Sequence, residues 1–174
     1  MKGLIHIYTG DGKGKTTAAI GLGIRFVGNG GKVLFTQFLK DNKSSELKVL
    51  QGINGISLLL CEETFGFYSR MNEDTKRRAK EVFSHYLEQV MEQSKQDGVG
   101  LLILDEIIGA YNYKLIECEQ FLDFLRNKPE GLEVVMTGRN PSNELIELAD
   151  YVSEIVKRKH PFDQGIMARM GIEK

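Results

Sequence analysis

The stretch TGDGKGKTTAA, residues 9–19, follows directly on the apolar run GLIHIY, residues 3–8. An apolar strand that runs into a glycine-rich loop, and then into a Lys-Thr pair opening a helix, leaves a chain few ways to fold. Gly10, Gly12 and Gly14 let the backbone curl until its N–H groups converge on an anion. A helix beginning near Lys15 points its positive end at the same place. Lys15 adds a mobile point charge, and Thr16 offers a hydroxyl to a magnesium ion. The fingerprint G-x-x-x-x-G-K-[ST] is met at Gly14, Lys15 and Thr16, but Thr9 stands where its first Gly belongs. The loop reads as a polyphosphate site with an altered entrance, and Gly10, Asp11, Gly12, Lys13, Gly14, Lys15, Thr16 and Thr17 are its nucleotide-binding candidates. The competing reading is a glycine-rich turn with no ligand. Neither fixes the reaction.

The rest of the chain alternates between two patterns. Short apolar, β-branched runs recur at residues 3–8, 32–38, 56–60, 101–106, 132–138 and 151–156. Several are apolar on both faces, as strands of a covered parallel sheet are. Helical patterns lie between them, at residues 16–27, 73–97, 115–126 and 142–149. The second has Ala79, Val82, Phe83, Tyr86, Leu87, Val90 and Met91 on one stripe, with Asn72 as its N-cap. Strand–helix alternation predicts an α/β fold: one mostly parallel sheet of about six strands with helices on both faces. No linker or repeat divides it, so residues 1–174 are expected to form one domain. The polar stretch KDNKSSE, residues 40–46, follows the second strand and belongs at the ligand-binding rim.

Composition narrows the setting. A net charge of −1 without a basic run argues against nucleic acid or an anionic membrane as the main partner. No apolar stretch is long enough to span a bilayer, and the N-terminus lacks a signal-peptide pattern. Cys61 and Cys118 form no Cys-x-x-Cys pair, so they are expected to be packing residues of a cytoplasmic protein.

The run LLILDE, residues 101–106, ends in Asp105 and Glu106. A carboxylate at the C-terminal end of such a strand holds the metal on bound phosphates. Either residue suits that role, with the other positioning it. The alternative is a solvated turn. NKPE, residues 127–130, superficially resembles a guanine-specific Asn-Lys-x-Asp loop, but it follows a helix and ends in Glu. It reads as a helix stop, which favours adenine.

Four stretches then bring the chain close to a known family: GDGKGKTTAA (residues 10–19), TQFLK (36–40), LDEI followed by AYNY (104–113), and VVMTGRNPSNELIELADYVSEI (134–155) running into KHPFDQGIMARMGIE (159–173). Together they resemble the P-loop type of corrinoid adenosyltransferase, the cob(I)alamin:ATP adenosyltransferases of cobalamin synthesis and salvage. In that family the missing first Gly is itself a trait. The resemblance implies a RecA-like P-loop fold. It also implies transfer of the 5′-deoxyadenosyl group of ATP to the cobalt(I) of cobalamin, cobinamide or cobyrinic acid diamide, with release of triphosphate. ATP would lie in the loop in the reverse of the usual sense, exposing its 5′ carbon. Lys15 would then stabilise the leaving triphosphate. Mg2+, or Mn2+ in its place, would be held by Thr16 with Asp105 or Glu106. A homodimer and a flavoprotein reductant are further family expectations.

The corrinoid side is read from CEETFGFYSR, residues 61–70. The resemblance implies aromatics here that crowd the lower face of the corrin and displace its axial ligand. Phe65 and Phe67 are the candidates, with Tyr68 beside them; some relatives carry Trp where Phe67 stands. The competing reading has these rings plug the edge of the core. Arg139, after a strand end, is a candidate for phosphate or corrinoid contacts, and Arg25, on the helix after the loop, for ATP. Lys15 is expected at an exposed rim. His160 is expected to order the tail by hydrogen bonding, and His6 and His85 receive no role. Many relatives carry an N-terminal extension that folds over a partner's site. This chain starts at the first strand, so closure is expected from residues 40–46 and the C-terminal tail. The rival functions are a phosphotransferase or ATPase with the usual ATP orientation, and a nucleotide-binding regulator without catalysis.

Overall fold

The computed structural model describes residues 2–96 and 98–173. Its strands are β1 (Ile5–Thr9), β2 (Lys32–Gln37), β3 (Ile56–Leu60), β4 (Val99–Asp105), β5 (Glu133–Thr137) and β6 (Tyr151–Glu154). The helices are α1 (Lys15–Gly28), α2 (Ser45–Leu50), α3 (Glu73–Gln93), α4 (Ile107–Asn112), α5 (Cys118–Asn127) and α6 (Asn143–Leu148). The six strands form one sheet in the order β3-β2-β4-β5-β1-β6. Every neighbouring pair is parallel, as expected. β5 lies between the strand that carries the glycine loop and the strand that ends in Asp105, so the two elements approach each other across it.

The apolar strands are buried on both faces because each successive side chain enters a different core. Ile5, Ile7, Leu34, Leu102, Leu104, Val134 and Met136 pack with α3, α4 and α5. Val33, Phe35, Leu101, Ile103 and Val135 pack on the opposite face with Ala19 of α1 and Leu47 and Leu50 of α2. The small residues of α1 let it lie close to the sheet: a Cβ added at Gly23 would stand 3.1 Å from Ile103 Cδ1. α3 starts where its cap predicts, with the Asn72 side chain accepting from the Thr75 N–H at 2.8 Å. Tyr86 on its buried stripe donates its hydroxyl to Leu59 O at 2.6 Å, tying α3 to the edge strand β3.

Several boundaries differ from the sequence reading. α3 ends at Gln93, and Asp97, the expected end, lies outside the described residues. α5 begins at Cys118 because Leu115 and Ile116 are already buried in the core before the helix opens. The six-residue helices α2 and α4 are absent from the sequence reading; α2 begins inside the stretch read as a loop. The NKPE stretch is a helix stop, since α5 ends at Asn127 ahead of Pro129. Both cysteines are free, Cys61 buried and Cys118 half-buried. No helix among the described residues is long and apolar enough to cross a membrane.

Gly138 closes β5 with φ at 147°, and a Cβ there would lie 2.6 Å from Ile108 Cβ of α4. Replacing it with Ala should destabilise the fold by about 1–3 kcal/mol through backbone strain and overlap. Denaturant unfolding of Gly138→Ala, compared with the parent, measures this.

Candidate active site

The glycine loop is pinned from outside. Gly12 N–H donates to Ile155 O at 2.7 Å, and Ile155 N–H donates to Thr9 O at 2.8 Å. A Cβ at Gly10 or Gly12 would come within 2.4 and 2.6 Å of that same carbonyl, so only glycine permits the approach. Asp11 accepts the Lys157 N–H at 2.8 Å, which holds its carboxyl below the usual carboxylate range. Lys13 is exposed, Gly14 takes φ 124° at the start of α1, and Thr17 lies in the first turn of that helix.

Lys15 corrects an expectation. It is buried, not exposed at the rim. Its Nζ donates to Gly10 O and Gly12 O, each at 2.8 Å, because the curl that turns N–H groups one way turns carbonyls toward the lysine. Burial, with the Arg139 charge nearby, pushes its pKa down, and the charges of Glu106, Asp11 and Asp105 oppose the shift.

Beside the loop lies a polar cluster centred on Asp105, which is fully buried at the end of β4. Its Oδ1 accepts Thr16 Oγ1 at 2.8 Å and Thr137 Oγ1 at 2.7 Å. Its Oδ2 accepts Gln37 Nε2 at 3.3 Å and pairs with Lys40 Nζ at 2.7 Å. One carboxylate thereby joins the start of α1 to the ends of β2 and β5. Glu106 leaves the strand in the left-handed conformation, φ 60°, with its N–H donating to Thr137 Oγ1 at 2.9 Å. Burial and the adjacent Asp105 raise its pKa, opposed by the charges of Lys40, Lys15 and Arg139. The two neighbours therefore differ: Asp105 is fully buried and engaged on both oxygens, and Glu106, half-buried, is the carboxylate with a left-handed backbone and a raised pKa. Gln37, buried beside Asp105, leaves its Oε1 without a hydrogen-bond partner among the described residues.

The structure groups the remaining candidates unevenly. Arg139 follows β5 and its charge reaches Lys15, Glu106 and Asp11. Asn112 holds that turn by donating to Arg139 O at 3.1 Å and Asn140 O at 2.9 Å. Arg25 is exposed in the last turn of α1, about 15 Å along the helix from Lys15 by axial rise. The structure does not bring it to the loop. The aromatic segment follows β3, four strand spacings from β1, which is about 19 Å along the rim. Its rings diverge. Phe65 is half-buried, edge-on to Phe83 with centroids 5.5 Å apart. Phe67 is 74% exposed, with the Arg70 guanidinium 5.6 Å from its centroid. Tyr68 stacks flat on Tyr113 at 4.1 Å, with Lys76 Nζ over it at 5.1 Å. That stack joins the segment to the C-terminal end of α4. Sequence reasoning missed Tyr113 as its partner and Lys40, Gln37 and Thr137 as part of the polar cluster. Their signal was position, since each stands at or just after a strand end or helix end on this rim. His160 caps the tail turn as expected, its Nδ1 accepting Phe162 N–H at 3.1 Å.

A raised carboxyl pKa has a consequence for stability. The folded protein holds the Glu106 proton to a higher pH than the unfolded chain does, so stability falls as pH rises through that window. Glu106→Gln should therefore melt above the parent near neutral pH, with the gain vanishing in acid below the ordinary carboxylate range. Thermal unfolding across pH reads this out.

Comparison with known proteins places this geometry. Over 172 residues the chain is 33% identical to the "Corrinoid adenosyltransferase" of Escherichia coli (strain K12), covering 99% of this chain and 86% of that protein. It is 31% identical to "Corrinoid adenosyltransferase CobA" of Salmonella typhimurium, with the same coverage. It is 35% identical over 182 residues to the "Corrinoid adenosyltransferase" of Sinorhizobium sp, covering 99% of this chain and 80% of that one. Residues 1–173 match the family "ATP:corrinoid adenosyltransferase BtuR/CobO/CobP". With the family matched along the chain and a glycine loop, lysine and acidic strand end brought to one rim, this protein belongs to the ATP:corrinoid adenosyltransferase family.

Proposed function

We propose that this protein transfers the 5′-deoxyadenosyl group of ATP to the cobalt(I) of a corrinoid and releases triphosphate, in adenosylcobalamin synthesis or salvage. The observation that carries this reading is the family match over residues 1–173. In the transfer, the cobalt lone pair forms a bond to C5′, the C5′–O bond breaks, and its electron pair leaves on the triphosphate. No substrate hydroxyl has to lose a proton, so the site needs no general base. It needs positive charge where the triphosphate departs and a fixed line of attack. The loop N–H groups, Lys15 and Arg139 supply the charge. The aromatic segment supplies an apolar wall, with the exposed Phe67 as the ring that meets a flat ligand and with Phe65 and Tyr68 tying the segment to Phe83 and Tyr113.

The residues present fit a magnesium ion. Thr16, Asp105 and Glu106 are hard oxygen donors, and the orphaned Gln37 Oε1 lies beside them. Among the described residues no cluster of three or more His, Cys, Asp or Glu side chains could hold a metal ion. That suits an ion carried largely by substrate phosphates. When bound, it would add charge stabilisation on the departing oxygens. Thr16 and Asp105 would hold it directly or through its waters, with Glu106 facing the nucleotide. A cytoplasmic homodimer supplied by a flavoprotein reductant completes the reading. Exposed apolar side chains support a partner surface: Tyr151 and Val152 on the edge strand, Phe162, Met167 and Met170 in the tail.

Incubation with ATP, Mg2+ and chemically reduced cobalamin should give adenosylcobalamin and intact triphosphate in equal amounts. ADP and phosphate without cobalt alkylation would support the phosphotransferase instead. Lys15→Ala should cut turnover by about 10²–10³-fold with the fold retained by circular dichroism. Phe67→Ala should lose more activity in an assay starting from cobalt(II) than in one supplied with cobalt(I). Equal losses would make the ring mere packing.

A further inference from the structure

Lys40 holds a position that its sequence context does not announce. Its Nζ lies 2.7 Å from Asp105 Oδ2, donates to Thr16 Oγ1 at 3.4 Å, and stands 3.9 Å from Glu46 Oε1. The first two oxygens are those assigned above to a magnesium ion. An ammonium and a divalent cation cannot both sit there. They compete for the same lone pairs, and two positive charges at contact distance repel. We propose that Lys40 is a built-in counter-ion for the Thr16–Asp105 pair, which the divalent cation must displace and which then serves as a second phosphate-binding lysine beside Lys15. The inference rests on the reading that Thr16 and Asp105 line the magnesium position.

The surroundings permit the exchange. The Lys40 side chain is 23% exposed, so it reaches solvent even while its Nζ pairs with the buried Asp105. The backbone on either side is held: β2 ends at Gln37, and Asn42 Nδ2 donates to Cys61 O at 2.6 Å beyond the end of β3. The ammonium can therefore move by side-chain rotation alone, on a four-carbon stem. Glu46 offers a second carboxylate on the outer side. When Lys40 leaves, Asp105 still accepts Thr16, Thr137 and Gln37, so its carboxylate is not stranded. A lysine displaced from Thr16 starts next to the first turn of α1, where loop N–H groups and the helix end collect phosphate oxygens.

The test is a Mn2+ titration followed by electron paramagnetic resonance, without nucleotide or corrinoid. Lys40→Met should bind Mn2+ about tenfold more tightly than the parent, because no ammonium has to be expelled first. Lys40→Arg, which keeps the charge, should stay within about twofold of the parent. In calorimetry with excess Mg2+, Lys40→Met should bind ATP about tenfold more weakly, having lost one phosphate contact. Unchanged, weaker or absent Mn2+ binding by Lys40→Met overturns the proposal, as does equal tightening by Lys40→Arg or undiminished ATP binding. If Lys40→Met does not fold, Lys40→Gln, which can still donate to Asp105, replaces it with the same expected directions. The titration scores no adenosyl transfer, so its failure is distinct from failure of the proposed activity.

Discussion

A single carboxylate organises the rim of this sheet. Asp105 sits at the end of β4 without solvent contact and is met by Thr16, Thr137, Gln37 and Lys40. A buried carboxylate left unpaired would be costly, so each donor is under pressure to stay in place. The effect is positional. Thr16 fixes the first turn of α1 against β4, Thr137 fixes the end of β5, and Gln37 and Lys40 fix the exit of β2. Three segments far apart in the chain hold one geometry because they share one acceptor.

The division of labour around that node follows from environment. Asp105 and Glu106 are adjacent carboxylates, yet one is saturated and the other is turned out in a left-handed conformation with a raised pKa. Thr137 makes the difference, donating its hydroxyl to Asp105 and accepting the Glu106 N–H. A reaction that stabilises a departing polyphosphate requires fixed positive groups more than mobile acids and bases. The proposed transfer would draw on such groups: Lys15 is bound to its own loop carbonyls, and Arg139 stands at a strand end anchored by Asn112.

Much of this was legible in the amino-acid order because it depends on local pattern. The strand, the glycine loop and Lys15-Thr16 are contiguous, and short runs apolar on both faces announce a covered parallel sheet. The roles of Asp105 and Glu106 could not be separated in sequence, since what separates them is Thr137, 32 residues away in the chain. The same holds for Lys40, whose contacts are set by how β2 and β4 pair, and for Tyr113, which meets Tyr68 only once α4 has formed. Lys15 was expected in the open because lysine usually is. Its burial follows from the inward carbonyls of Gly10 and Gly12, which a residue pattern does not display. α2 and α4 escaped, though α6, equally short, did not.

The attachment of the glycine loop to Ile155 carries a consequence for biosynthesis. β1 is synthesised before β5 and β6, yet these two are its sheet partners. The carbonyl that braces Gly12 lies 143 residues downstream of it. During translation the glycine loop therefore stays unbraced until Ile155 has emerged. Vectorial synthesis thus makes the loop well before the segment that braces it, and its final curl is acquired late.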